Sequence, residues 1–179
     1  MEKRIKLHDR EFKVMIPAAR IEEAISNIAE KINSDYADTE YPVLLGVLNG
    51  SFVFLADLAR KLNFQCEVSF VKLASYEGCS STGKVSELLG LNLSVEGRHV
   101  IVVEDIVDSG RSIAYTLETL RARKVASVRV ATLFFKPNAY KESEVIDYPA
   151  MEIGNEFIVG YGLDYDQLGR ELKDIYVTE

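Results

Sequence analysis

The sequence predicts an α/β domain with a mostly parallel central sheet, buried between helices. Short, near-continuous apolar segments such as "YPVLLGVL" and "RHVIVV" read as strands covered on both faces. They alternate with segments whose apolar residues recur at helical spacing. The polar residues that follow several of these strands form a third signal, because ligands in such sheets bind beyond the strands' carboxyl ends. The 179 residues suit one domain spanning 1–179, with 47% hydrophobic and 27% charged residues.

The elements follow in order. After a short charged start, "PAARIEEAISNIAEKINSDY" spaces Ile21, Ile25, Ile28 and Ile32 along one helical face, with Pro17 at its opening. "YPVLLGVLNGS" is a strand ending in a glycine-containing loop. "FVFLADLARKL" is a helix with Phe52, Leu55, Leu58, Ala59 and Leu62 on one side. "CEVSFVKLASY" alternates as a strand does, and the small polar "EGCSSTGKVSE" reads as a mobile loop. "GLNLSV" and "RHVIVVED" are two further strands separated by Gly97. "SIAYTLETLRARK" is a helix, "SVRVATLFFK" a strand, and "EFIVGYGLDYD" a last strand running into a loop. The loops after Leu48, Val103, Phe135 and Val159 are therefore expected to converge on one site.

Composition narrows the function classes. A net charge of −7 argues against tracking nucleic acid, which needs a basic face. No apolar run approaches the roughly 18 residues of a membrane span, and the start "MEKRIKLHDREF" has no apolar signal-peptide core. Cys66 and Cys79 lack metal-site spacing and read as reduced thiols. A cytoplasmic protein is expected, with no membrane and no nucleic-acid partner.

The stretch "VIVVEDIVDSGRS" carries the most chemistry. Asp108-Ser109-Gly110-Arg111-Ser112 lies between a strand and a helix, where unpaired N–H groups and the helix dipole favour an anion. The same residue types also make an ordinary helix cap. Glu104-Asp105, directly after a buried strand, shifts the balance, since ionised groups there are costly unless used. Adjacent carboxylates suit vicinal hydroxyls or a divalent ion. Together the two halves read as a site for a ribose 5-phosphate.

This motif resembles the phosphoribosyl-diphosphate (PRPP) motif of type I phosphoribosyltransferases. From about Phe12 onward the chain is similar to the hypoxanthine/guanine branch of that family, through "LLGVLNGSFVFLADL", "VKLASYEG", "LFFK" and "EFIVGYGLDYDQLGREL". The resemblance implies a small hood built from terminal segments beside the main sheet. It implies transfer of ribosyl-5-phosphate from PRPP to N9 of hypoxanthine, and of guanine, giving IMP or GMP and diphosphate, with Mg2+ as cofactor. A homodimer or homotetramer is implied as well.

By the same resemblance, Asp108 through Ser112 hold the 5-phosphate, Glu104 and Asp105 the ribose hydroxyls or the metal, and Asp108 serves as general base or acid at the purine N7. Asn49 and Gly50 correspond to the diphosphate loop, with the peptide before Asn49 as a candidate cis bond. Many relatives carry lysine where this chain has Asn49, which removes a charge there. Lys136 would donate to the 6-oxo group of the base, Phe157 would stack on it, Ile158 would meet its edge through the backbone, and Ile106 would pack from another side. Asp164 is implied at both the base and the metal, Arg170 at the diphosphate, and Ser75-Tyr76 as the signature pair of a lid. Read alone, "NGS" is a turn, Lys136 a strand terminus, Phe157 and Ile106 core residues, and Asp164 and Arg170 surface charges. Competing functions are a nucleotide-sensing regulator on the same fold, a phosphoribosyltransferase for xanthine, a pyrimidine or orotate, and a nucleotide-binding domain without transferase activity.

Overall fold

The computed structural model describes residues 3–75 and 85–178. Its strands are β1 (Arg4–Leu7), β2 (Arg10–Ile16), β3 (Val43–Leu48), β4 (Glu67–Ser75), β5 (Val85–Leu89), β6 (His99–Val107), β7 (Ser127–Phe135), β8 (Tyr148–Glu152), β9 (Ile158–Val159) and β10 (Ile175–Thr178). Its helices are α1 (Ala18–Asp35), α2 (Phe52–Ala59) and α3 (Arg111–Ala122). A six-stranded sheet runs in the order β5-β4-β3-β6-β7-β8. All its pairs are parallel except β4 with β5, an antiparallel edge. A second, four-stranded antiparallel sheet, β1-β2-β10-β9, is built from both ends of the chain and forms the hood.

Strand side chains alternate between two faces, and both faces of the main sheet are covered. Leu44, Ile101 and Val103 point to the side where Ile21, Ile25, Ile28 and Ile32 of α1 and Phe54, Leu55 and Leu58 of α2 pack. Val43, Leu45, Val47, Val100 and Val102 point to the other, against Ile113, Leu117 and Leu120 of α3. That two-sided burial explains the uninterrupted apolar strands. Each such side chain withdrawn from water contributes about 1.5–3 kcal/mol. A smaller cluster of Phe12, Val159 and Tyr176 fills the hood.

Several elements differ from expectation. "GLNLSV" is not a strand: Leu91, Leu93 and Val95 pack toward the α3 side from an irregular segment, so their period of two reflects packing rather than a ladder. The edge strand lies earlier, at Val85–Leu89, partly inside the segment read as a loop. α2 stops at Ala59 and buries Phe54, while Phe52 is 43% exposed and faces a groove. The strand expected in "EFIVGYGLDYD" is β9, with only two residues, because Tyr161 takes φ 50° and its N–H donates to Leu172 O at 2.8 Å, turning the chain back. The hairpin β1–β2 and strands β8 and β10 were not anticipated; β1 and β2 interleave charged and half-buried residues, which masks their alternation. Among the described residues no helix is long and apolar enough to cross a membrane.

Candidate functional site

The carboxyl ends of β3, β6 and β7 meet at one place, as a parallel sheet requires of ligand-bearing loops. β6 continues through Val107, so Glu104, Asp105 and Ile106 belong to the strand itself. Glu104 is buried, and its Oε2 has no hydrogen-bond partner among the described residues. Burial, reinforced by the neighbouring Asp105, pushes its carboxyl well above the usual carboxylate range. Asp105 is also pushed up, by its own burial, although its Oδ1 accepts the Ile106 N–H at 2.8 Å. A buried pair of acids that disfavours its own charge is a place where a cation or hydroxyl donors would be accepted.

After β6 the chain turns into α3 through Asp108–Ser112. Gly110 is the N-cap residue, at φ 87°, with no side-chain cap bond, and the first turn carries no acidic residue. The cap expected of Asp108 is therefore absent. A Cβ at Gly110 would also collide with Tyr140, whose ring packs against the loop. Tyr140 was missed from sequence, because its contact with Gly110 is long-range: its N–H donates to Lys136 O at 3.1 Å in a local turn, and Lys141 N–H donates to Ser109 O at 3.2 Å across the two loops. The α3 N-terminus opens on a cavity of about 250 Å³ that also touches Leu48, Glu104 and Ile106. A larger groove of about 830 Å³ lies between α1, α2 and residues 170–173, away from the strand-end carboxylates.

β3 ends in Leu48-Asn49, a cis peptide. Asn49 is exposed, and Ser51 Oγ donates to Val47 O at 2.6 Å, tightening the turn. Gly50 lies so close to Asp105 that a Cβ there would overlap its carboxylate. The β3 loop and the β6 acids thus form one surface.

Lys136 directly follows β7 and is buried, at 7% exposure. Its Nζ lies 3.3 Å from Asp108 Oδ2 and donates to Glu156 O at 3.1 Å. This one ammonium ties together the α3 loop, the end of β7 and the segment that leads into Phe157. Phe157 is 44% exposed and meets Tyr165 edge to face, with ring centroids 5.9 Å apart. Ile158 begins β9 and is buried.

Asp164 and Arg170 pair with each other at 2.6 Å. Asp164 Oδ2 also accepts the Gln167 N–H, and Arg170 Nη1 donates to Gly162 O at 2.7 Å. Asp164 is thus committed to its own loop. No group of three or more metal-ligating side chains occurs among the described residues. Glu104 and Asp105 retain the donor chemistry for magnesium, which takes one or two carboxylates and fills its shell with substrate oxygens and water. Ser75 closes β4 in register with Val85, whereas Tyr76, the second lid residue, lies outside the described residues.

The phosphoribosyl transferase domain family matches residues 17–166. The chain is 37% identical over 173 residues to the hypoxanthine-guanine phosphoribosyltransferase of Bacillus subtilis, covering 96% of this chain and 95% of that protein. It is similar in structure to the hypoxanthine phosphoribosyltransferase of Trypanosoma cruzi, solved as a ternary substrates complex, with a TM-score of 0.85 and 36% identity over 93% of this chain and 94% of that one. A hypoxanthine-guanine phosphoribosyltransferase of Bacillus anthracis superposes with a TM-score of 0.85 at 34% identity, over 93% and 96% of the two chains.

Proposed function

The chain belongs to the phosphoribosyl transferase family and is a purine-salvage phosphoribosyltransferase, and from that premise we propose how its residues divide the work. The substrates are PRPP and a 6-oxopurine, hypoxanthine or guanine, joined at N9 with release of diphosphate. The observation that supports the base assignment is Lys136, a buried ammonium held between Asp108 and the backbone of Glu156, one residue before the exposed ring of Phe157. A fixed donor at that place accepts a 6-oxo group and rejects a 6-amino group. Phe157 covers the face of the base, Ile106 packs from the sheet side, and the backbone of Ile158 meets its edge.

The 5-phosphate takes the unpaired N–H groups of the α3 start together with Ser109, Gly110, Arg111 and Ser112. The ribose hydroxyls take Glu104 and Asp105. Asn49 and Gly50 meet the diphosphate through the backbone, and Arg170 supplies a guanidinium once its pairing with Asp164 is exchanged for phosphate oxygens. Glu104 and Asp105 would hold magnesium together with PRPP, and the bound ion would supply positive charge at the diphosphate. Asp108 moves the proton at N7. The same reading makes residues 1–179 a single catalytic domain of a cytoplasmic homodimer or homotetramer.

With PRPP and magnesium, hypoxanthine and guanine should be turned over, and kcat/KM for adenine should fall lower by roughly 10²-fold or more. A spectrophotometric assay of the free bases decides this; equal use of adenine and hypoxanthine would overturn the role of Lys136.

Glu104→Gln and Asp105→Asn test the ribose assignment. Each amide keeps the shape of a side chain whose charge the folded site already disfavours. A carboxylate raised on folding contributes least stability at neutral pH, where ionisation favours the unfolded chain. Melting temperatures at pH 7 should therefore be equal or higher. PRPP affinity should drop roughly tenfold, the value of one charge-assisted hydrogen bond. Unchanged PRPP binding by calorimetry in both variants would place the sugar elsewhere.

A further inference from the structure

The residue read as the base-stacking platform, Phe157, has an anchor that the motifs do not disclose. Its ring meets Tyr165 at an interplanar angle of 80°. Tyr165 sits on a tight turn, with its N–H donating to Leu168 O at 2.9 Å and its own carbonyl accepting from Leu168 N–H at 3.1 Å. Its other contacts come from the β1–β2 hairpin and leave it half-buried. Its hydroxyl donates to Asp9 Oδ1 at 2.7 Å, and the Arg10 guanidinium lies over its ring, 4.9 Å from the centroid. His8 approaches it edge-on at 5.8 Å and Phe12 at 5.9 Å.

The geometry accounts for itself. A tyrosine ring presents a negative face, which suits a guanidinium above it, and a positive edge, which suits a T-shaped neighbour. The hydroxyl bond holds the Asp9 carboxyl below its usual range and raises the Tyr165 hydroxyl, the shifts a direct donor–acceptor pair gives. β9, which follows Phe157, is also tied to the hairpin through the sheet, since Ile158 pairs with Val177 and Val177 with Lys13. Phe157 is thereby held from two directions by residues at the start of the chain, some 150 positions away in sequence.

We propose that Tyr165 is a positioning residue for the purine base, setting the place of Phe157, and that Asp9 and Arg10 of the β1–β2 hairpin hold Tyr165 for that purpose. The inference rests on the reading of Phe157 as the stacking residue. Tyr165 acts through Phe157 and does not touch the base. The function of the hairpin is then to fix one wall of the base site, while the PRPP contacts other than Arg170 come from loops of the main sheet.

The test separates the two substrates. In Tyr165→Leu, KM for hypoxanthine should rise about 2–10-fold, the worth of one aromatic edge-to-face contact, with KM for PRPP unchanged. Tyr165→Phe and Asp9→Ala keep the ring and should each give a smaller rise in base KM. Their double variant should be no worse than either alone, because both delete the same bond. If Tyr165→Leu does not fold, these conservative variants decide the matter. Equal rises in both KM values, or a lower melting temperature with base KM unchanged, would reduce Tyr165 to a structural residue and overturn the inference. Inactivity of the unaltered enzyme on every 6-oxopurine would overturn the reading of the base site itself, and that result is distinguishable because it appears before any substitution.

Discussion

Asp108→Asn is expected to lower turnover by about 10²–10⁴-fold while PRPP still binds. That range is what a positioned general acid or base contributes. The phosphate donors of this loop are backbone N–H groups at the start of α3, and the substitution leaves them in place. The N-cap residue is Gly110, so no cap is lost. The structural cost comes from elsewhere. Lys136 has a side chain 9% exposed and faces Asp108, whose own side chain is 55% exposed. Asparagine still offers an oxygen to the ammonium, and Glu156 O remains bonded to it. With one partner half in water, the loss of stability should be about 1 kcal/mol. For a chain of this size that lowers the melting temperature by about 2–4 °C. Calorimetry of PRPP binding and turnover across pH, on the same preparation, check the separation. Near-normal turnover would move the proton-transfer role to another group. Loss of PRPP binding would mean that Asp108 chiefly organises the loop.

How far the chain could be read without its structure depends on the range of the interaction. The helix of Ile21, Ile25, Ile28 and Ile32 was legible because a single face repeats its burial every turn. The strands β3, β6 and β7 were legible because burial on both faces makes long stretches of them continuously apolar. Glu104, Asp105 and the Asp108–Ser112 turn sit within nine residues, and their relation to one strand end follows from local order alone. Asn49, Lys136 and Phe157 were placed by resemblance; taken singly they read as a turn, a strand end and a core residue. What escaped were contacts between distant segments. The Lys136–Asp108 pair spans 28 positions, Tyr140 against Gly110 spans 30, and Tyr165 against Asp9 spans 156. The closure of Asp164 on Arg170 escaped for another reason: it depends on a turn with left-handed residues at Asp166 and Gln167, which the residue types there do not signal.

Lys136→Ala is expected to reduce kcat/KM for hypoxanthine by roughly 10²-fold or more, through two losses at once. The first is the donor aimed at the 6-oxo group, and a missing charged partner for a bound polar group costs about 1.5–3 kcal/mol. The second is positional. Lys136 Nζ joins Asp108 to Glu156 O, so its removal frees the proton-transferring carboxylate from the segment that carries Phe157. Discrimination against adenine should narrow together with the loss, because the fixed donor is what disfavours a 6-amino group. Lys136→Met separates the charge from the packing: it retains an unbranched apolar stem in a position 7% exposed, and so should fold as the parent does. If the methionine variant matches the alanine variant in kcat/KM while keeping the parent's melting temperature, the effect belongs to the ammonium. If it restores activity on hypoxanthine, the stem alone matters and Lys136 is a strand terminus after all. PRPP affinity should hold in both variants, since none of the 5-phosphate donors is supplied by β7.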